Sequence, residues 1–144
     1  MARRVLAVKP NGPWLVVVEG KWAVDANPQV LAVPLERSAL WLLPLTERPR
    51  AEVEREVRAL LGPGDPDFGE VLWAVIRMGL TSWSDYWTSH TMNWMTAQEI
   101  ELFAPELRKI ATGRTGLHQR THNVAKRLLK QHGLWWPWPP QRFA

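Results

Sequence analysis

The sequence predicts an α+β protein: a small antiparallel N-terminal β-meander packed on a C-terminal bundle of about five helices. Three observations carry this. Before Thr46, short apolar and β-branched runs are separated by Gly/Pro/Asn turn signals. From Thr46 onward, apolar residues recur at helical spacing between Gly and Pro breaks. A chain of 144 residues, 46% hydrophobic, fits one domain and can bury a real core. The expected organisation is a single domain over residues 1–144, β-rich over 1–45 and helical over 46–133, with a Trp/Pro-rich tail over 134–144.

Arg4 to Lys9 reads as the first strand, and Pro10-Asn11-Gly12-Pro13 as a turn. Trp14 to Glu19 is nearly all apolar, as a central strand is. Gly20-Lys21 then reads as a two-residue hairpin loop and Trp22 to Asp25 as the returning strand. Gln29 to Leu35 is a fourth strand. Ala39 to Leu43 reads as a fifth strand or an apolar connector.

Pro49 suits a first helical turn, followed by a stripe of Val53, Val57, Leu60 and Leu61 that Gly62-Pro63-Gly64 stops. Asp65 and Pro66 open the next helix, which runs to Met78 with Phe68, Leu72, Trp73, Val75 and Ile76 facing inward, and Gly79 ends it. Ser82 to Met95 is the organising element. Ser82 is its expected cap, Asp85 favours the positive end of the helix, and Trp83, Tyr86, Trp87, His90 and Trp94 share one face. Thr96 to Glu99 is a capping-box pattern. Pro105 opens a further helix with Leu107, Ile110 and Ala111 inside. The last helix spans Leu117 to His132, with Leu117, Val124, Leu128 and Leu129 inward, and Gly133 stops it. The expected core is Leu15, Val17, Val57, Leu61, Leu72, Ile76, Trp83, Trp87, Trp94, Val124 and Leu128. Trp87→Ala is accordingly expected to cost about 3–5 kcal/mol.

Ten tryptophans offer unusually large burial, each with an indole N–H that needs an acceptor. The absence of cysteine excludes disulfides and thiolate metal sites. No signal-peptide pattern opens the chain, and no stretch approaches the roughly 20 apolar residues of a membrane span. The expectation is a soluble, cytoplasmic protein with no membrane partner. Charge is uneven: residues 1–104 hold 10 Lys and Arg against 13 Asp and Glu, and residues 105–144 hold 8 against 1. A basic end of this kind meets nucleic acid, an acidic protein or the chain's own acidic half.

His118 and His122, four apart on the last helix, fit one metal ion by spacing. They lack a third ligand, and Arg114, Arg120 and Lys126 would repel a cation, so the pair reads as a solvated or anion-facing surface. His90 reads as a hydrogen-bonded core or interface residue rather than a general base paired with Glu99 or Glu101. No P-loop, nucleophile elbow or His-Glu-x-x-His pattern occurs. No catalytic residue, metal or cofactor is therefore assigned, and the chain is expected not to be an enzyme. The binding residues expected are Arg114, His118, Arg120, His122, Lys126, Arg127 and Lys130 on and beside the basic helix, with Trp135, Trp136 and Trp138 in the tail. Trp and Arg are typical interface anchors. Three indoles left in water would forfeit several kcal/mol at about 25 cal/mol/Å², so the tail is expected to dock on folded structure or across a homodimer.

The run GLTSWSDYWTSHTMNWM, with QRTHNVAKRLLKQHG after it, resembles a pattern of small uncharacterised bacterial helical proteins over residues 79–133. Some of these resemble immunity proteins that neutralise toxins. The resemblance implies protein binding without catalysis. The function expected is thus a protein-interaction module, immunity-like, whose partner is another protein, acidic in character, or a second copy joined through aromatic surfaces. The alternative is nucleic-acid binding through the basic helix.

Overall fold

The structure is a computed structural model that describes residues 2–26, 31–113 and 116–135. It has the expected α+β character: a four-stranded antiparallel sheet followed by helices. The chain divides into two compact units, Met1–Met78 and Gly79–Ala144.

In the first unit, strands β1 (Ala2–Ala7), β2 (Trp14–Val18), β3 (Lys21–Asp25) and β4 (Val33–Pro34) lie in the order β1-β2-β3-β4. Leu15, Val16 and Val17 of β2 are consecutive and all buried, as a central strand requires. The β2–β3 loop is Glu19-Gly20, one residue earlier than expected, because Val18 pairs with Lys21. Glu19 and Gly20 both have positive φ, the twist a two-residue hairpin needs. Val5 is the extra residue of a bulge in β1, between the Arg4–Val16 and Leu6–Leu15 pairs.

The expected fourth strand shrinks to Val33–Pro34, and Leu35 instead starts helix α1 (Leu35–Ser38). Residues 27–30 lie outside the described residues. The stretch expected as a fifth strand or connector is a 3-10 helix, Ala39–Glu47, with Leu42, Leu43 and Leu45 buried. Its buried positions are spaced by one to three residues, which reads as β or helix with equal ease.

Helix α2 (Arg50–Leu60) buries Val53 and Val57, but Leu60 is exposed and Leu61 only half-buried, past the helix end. Arg3 donates to Leu60 O, and Arg48 donates to Ala7 O at 2.9 Å, so both ends of α2 are tied to β1. Helix α3 (Gly69–Leu80) starts three residues later than a cap at Asp65 and a first turn at Pro66 suggest. Asp65 is engaged elsewhere: its carboxylate accepts from Gly62 N and pairs with Arg3. Val71, Leu72, Val75 and Ile76 are buried, whereas Trp73 is exposed and Phe68 half-buried. Phe68 meets Trp22 edge-on at 6.0 Å, and the Trp22 indole N–H donates to Asp67 O. Gly79 does not end α3 but lies within it.

The second unit contains α4 (Asp85–Trp94), α5 (Ala97–Leu102), α6 (Ala104–Ala111) and α7 (Gln119–Gln131), so α2 to α7 make six helices where about five were expected. The cap of α4 is Ser84 rather than Ser82: its hydroxyl accepts from Trp87 N at 3.2 Å, while Ser82 donates to Gly79 O. Thr96 and Glu99 form the reciprocal capping box of α5. Leu107 and Ile110 of α6 are buried, as expected, and Ala111 is half-buried.

Two faces are rotated from expectation. On α4 the buried residues are Thr88, Thr91, Met92 and Trp94; Trp83 is exposed and Trp87 half-buried. On α7 they are Thr121, His122, Ala125 and Leu129, while Val124 and Leu128 are only half-buried. Trp94 and Leu129 face inward as expected, and the small Thr88, Thr91, Thr121 and Ala125 join them where backbones approach closely. Gly79 opposite Thr91 is the clearest case.

Candidate interaction surface

From Trp83, just ahead of α4, to Trp94 at its end, the burial of the aromatic side chains grows along the chain. Trp83 and Tyr86 are each 51% exposed, Trp87 and His90 are half-buried, and Trp94 is 6% exposed. The open end is ordered by contacts among its own side chains. Tyr86 meets Trp87 edge-on, with centroids 4.9 Å apart and planes at 87°, and His90 lies against Tyr86 at 4.2 Å. His90 Nδ1 is 2.9 Å from Tyr86 O, an acceptor, so Nδ1 carries the proton. Trp83 precedes the Ser84 cap with φ of 55°, a left-handed conformation unfavourable for a bulky side chain.

This end of α4 is fastened to the start of α7. Asp85 Oδ1 accepts from His118 N at 2.9 Å and from Thr121 Oγ1 at 2.5 Å. His118 is the N-cap of α7 and makes no side-chain cap of its own, so the Asp85 carboxylate supplies that cap from another helix. The Thr121 hydroxyl and then the His118 N–H hold the Asp85 pKa below the ordinary carboxylate range.

The sequence-predicted binding residues separate into distinct environments. His118 projects into solvent with its side chain 82% exposed, while His122 is 7% exposed, so the pair does not present one open ligand face. Among the described residues no group of three His, Cys, Asp or Glu side chains is placed to hold a metal. The Glu99 carboxylate accepts from Thr96 N and is not assembled with His90. Arg120, Arg127 and Lys130 are exposed with Asn123 on one stripe of α7, which has no acidic residue. Lys126 is half-buried, its ammonium 5.3 Å from the Trp135 ring centroid. Trp135 thereby lies beside α7, and Arg108 of α6 donates to Leu134 O at 3.2 Å. Arg114, Trp136 and Trp138, and with the last two the docking expected of the tail, lie outside the described residues.

Asp85 and Thr121 escaped the sequence reading as partners. Asp85 was legible as a helix-start acid, but 36 positions separate it from Thr121, and no spacing rule links them. In the first unit a groove of about 620 Å³ runs between β1 and α2, lined by Val5, Val8, Trp14, Ala59 and Leu60; its Arg48 is already paired with Glu52 and Glu56. No helix among the described residues is long and apolar enough to cross a membrane. No protein-family model, curated protein or solved structure matches the chain.

Proposed function

We propose that this chain is a non-catalytic protein-interaction module acting in a bacterial cytoplasm. It binds another protein and neutralises it, in the manner of an immunity protein, or recruits it. The observation that carries this reading is the open end of α4: Trp83, just ahead of the Ser84 cap, and Tyr86, in the first turn, are both half-exposed. Large exposed aromatics on a surface ordered before binding are what interface anchors require, because little side-chain freedom is then lost on association. The test is retention of protein from an extract of the source cells by the whole chain and by its Trp83→Ala/Tyr86→Ala variant. Specific proteins held by the first and lost by the second are expected; identical sets on both would refute the assignment.

A second reading has its own support. Arg120, Asn123, Arg127 and Lys130 form an exposed stripe suited to phosphates. A mobility shift with mixed nucleic acids at low salt, weakening steeply as salt rises, is the result it requires.

A further inference from the structure

We infer that the partner presents an acidic segment, with carboxylates flanking an apolar side chain, to the surface where α4 and α7 meet. The assignment presupposes that α4 is a protein-binding face. Its first support is the placement of the exposed groups. The Asp85–Thr121 hydrogen bond fixes the first turn of α4 beside the first turn of α7. Trp83 and Tyr86 are within two residues of one end of that bond, and Arg120 and His118 within three residues of the other. The aromatic surface and the cationic stripe, which opens at Arg120, therefore converge at one junction, with the His118 imidazole 3.7 Å from the Asp85 carboxylate between them. From Arg120 the stripe continues to Arg127, about 10 Å further at 1.5 Å per residue, and then to Lys130.

The second support is the charge inventory. The second unit has eight Lys and Arg against four Asp and Glu, while the first has ten of each. Across α4 and α7 the single carboxylate is Asp85, and the α7 N-terminus already engages it. Glu99 is buried in its capping box, which leaves Glu101 and Glu106 as the solvent-facing acids of the described part of the unit. A complementary partner is thus negative, and an apolar side chain is what Trp83 and Tyr86 would cover.

Ring geometry favours a protein over a single-stranded nucleic acid. Base stacking needs open ring faces. Here one side of Tyr86 is taken by His90, and the Trp87 ring stands nearly perpendicular to it. Such a cluster offers edges and crevices for side chains more than platforms for bases.

Fluorescence anisotropy at low and physiological salt tests this with the full chain and three labelled probes of equal length. The probes are a Glu-Glu-Leu repeat peptide, its Lys-Lys-Leu counterpart and oligothymidylate. The acidic peptide should bind best. Its affinity should fall by about tenfold or more in Arg120→Glu/Arg127→Glu/Lys130→Glu, and again in Trp83→Ala/Tyr86→Ala. All replaced residues are solvent-facing, and near-ultraviolet circular dichroism of the tryptophans verifies that each variant is folded. Preference for the basic peptide, still lost with Trp83 and Tyr86, would overturn the acidic assignment and leave the interaction face standing. Tighter binding of oligothymidylate would overturn it in favour of a nucleic acid. Self-association abolished by Trp83→Ala/Tyr86→Ala, without peptide binding, would overturn it in favour of a second copy. No binding of any probe by the folded chain would overturn it too; whether the face itself survives is then read from the extract experiment.

Discussion

Gly79 lies so close to Thr91 that a Cβ at position 79 would collide with the threonine hydroxyl and come within 2.7 Å of its Cβ. The Gly79 carbonyl in turn accepts hydrogen bonds from Ser82 Oγ at 2.9 Å and from Thr88 Oγ1 at 3.0 Å. One glycine thus sets both the approach of α4 to the end of α3 and the path of the connecting turn. Gly79→Ala should destabilise the protein by about 1–3 kcal/mol, despite alanine's better helix propensity, because overpacking outweighs the intrinsic gain. Adding Thr91→Ala should recover part of that loss, a coupling visible in a double-mutant cycle of denaturant unfolding. The Thr91 hydroxyl is buried without a hydrogen-bond partner among the described residues, so Thr91→Val alone should be neutral or slightly stabilising. Additive effects of the two alanine changes would contradict the shared space.

The strands and most helix ends were legible because they depend on neighbours in sequence: the Thr96–Glu99 capping box, the Pro10 to Pro13 turn, the apolar run of β2. What was not legible was which face of α4 and α7 turns inward. Amphipathic reading ranks side chains by apolar size; it selects Trp94 and Leu129, which are buried, together with Trp83, Trp87, Val124 and Leu128, which are exposed or half-buried. The fold also buries Thr88, Thr91, Thr121 and Ala125, small side chains that an apolar ranking passes over, beside the larger Met92, Trp94, His122 and Leu129. The basic stripe of Arg120, Arg127 and Lys130 is legible in outline; that His122 is buried and Lys126 lies against Trp135 depends on the rotation of α7 and on the chain beyond it, neither of which local sequence specifies.

Graded burial along the α4 face predicts graded truncation effects. Trp94→Ala should cost about 3–5 kcal/mol, as removal of a fully buried aromatic does. Trp87, half-buried, should cost about half as much, less than its expected core position implied. Thermal melts of the two variants decide the order; equal losses would mean that Trp87 is covered as well as Trp94.

Asp85 makes stability depend on pH in a defined direction. Its native pKa is depressed by the Thr121 hydroxyl and the His118 N–H. A carboxylate of this kind contributes fully above its unfolded pKa, near about 4, and loses its contribution as pH falls through the lower native value. Asp85→Asn retains an acceptor but no charge. The melting temperatures of wild type and Asp85→Asn should therefore differ at neutral pH and converge in acid. A gap that stays constant down through that range would show that the charge at Asp85 contributes nothing to the junction.

Trp83 allows backbone strain to be separated from contact. Its φ of 55° suits glycine and is unfavourable for any side chain with a Cβ. Trp83→Ala removes the indole and keeps the strain; Trp83→Gly removes both. Glycine ordinarily costs more than alanine because it frees the unfolded chain. Here the order should reverse, with the glycine variant more stable by about 1 kcal/mol, read from denaturant midpoints at equal m. Binding should not follow stability: both variants lack the indole, so both should lose the partner to the same degree. Recovery of binding in the glycine variant would mean that the backbone turn before α4, not the Trp83 side chain, makes the contact.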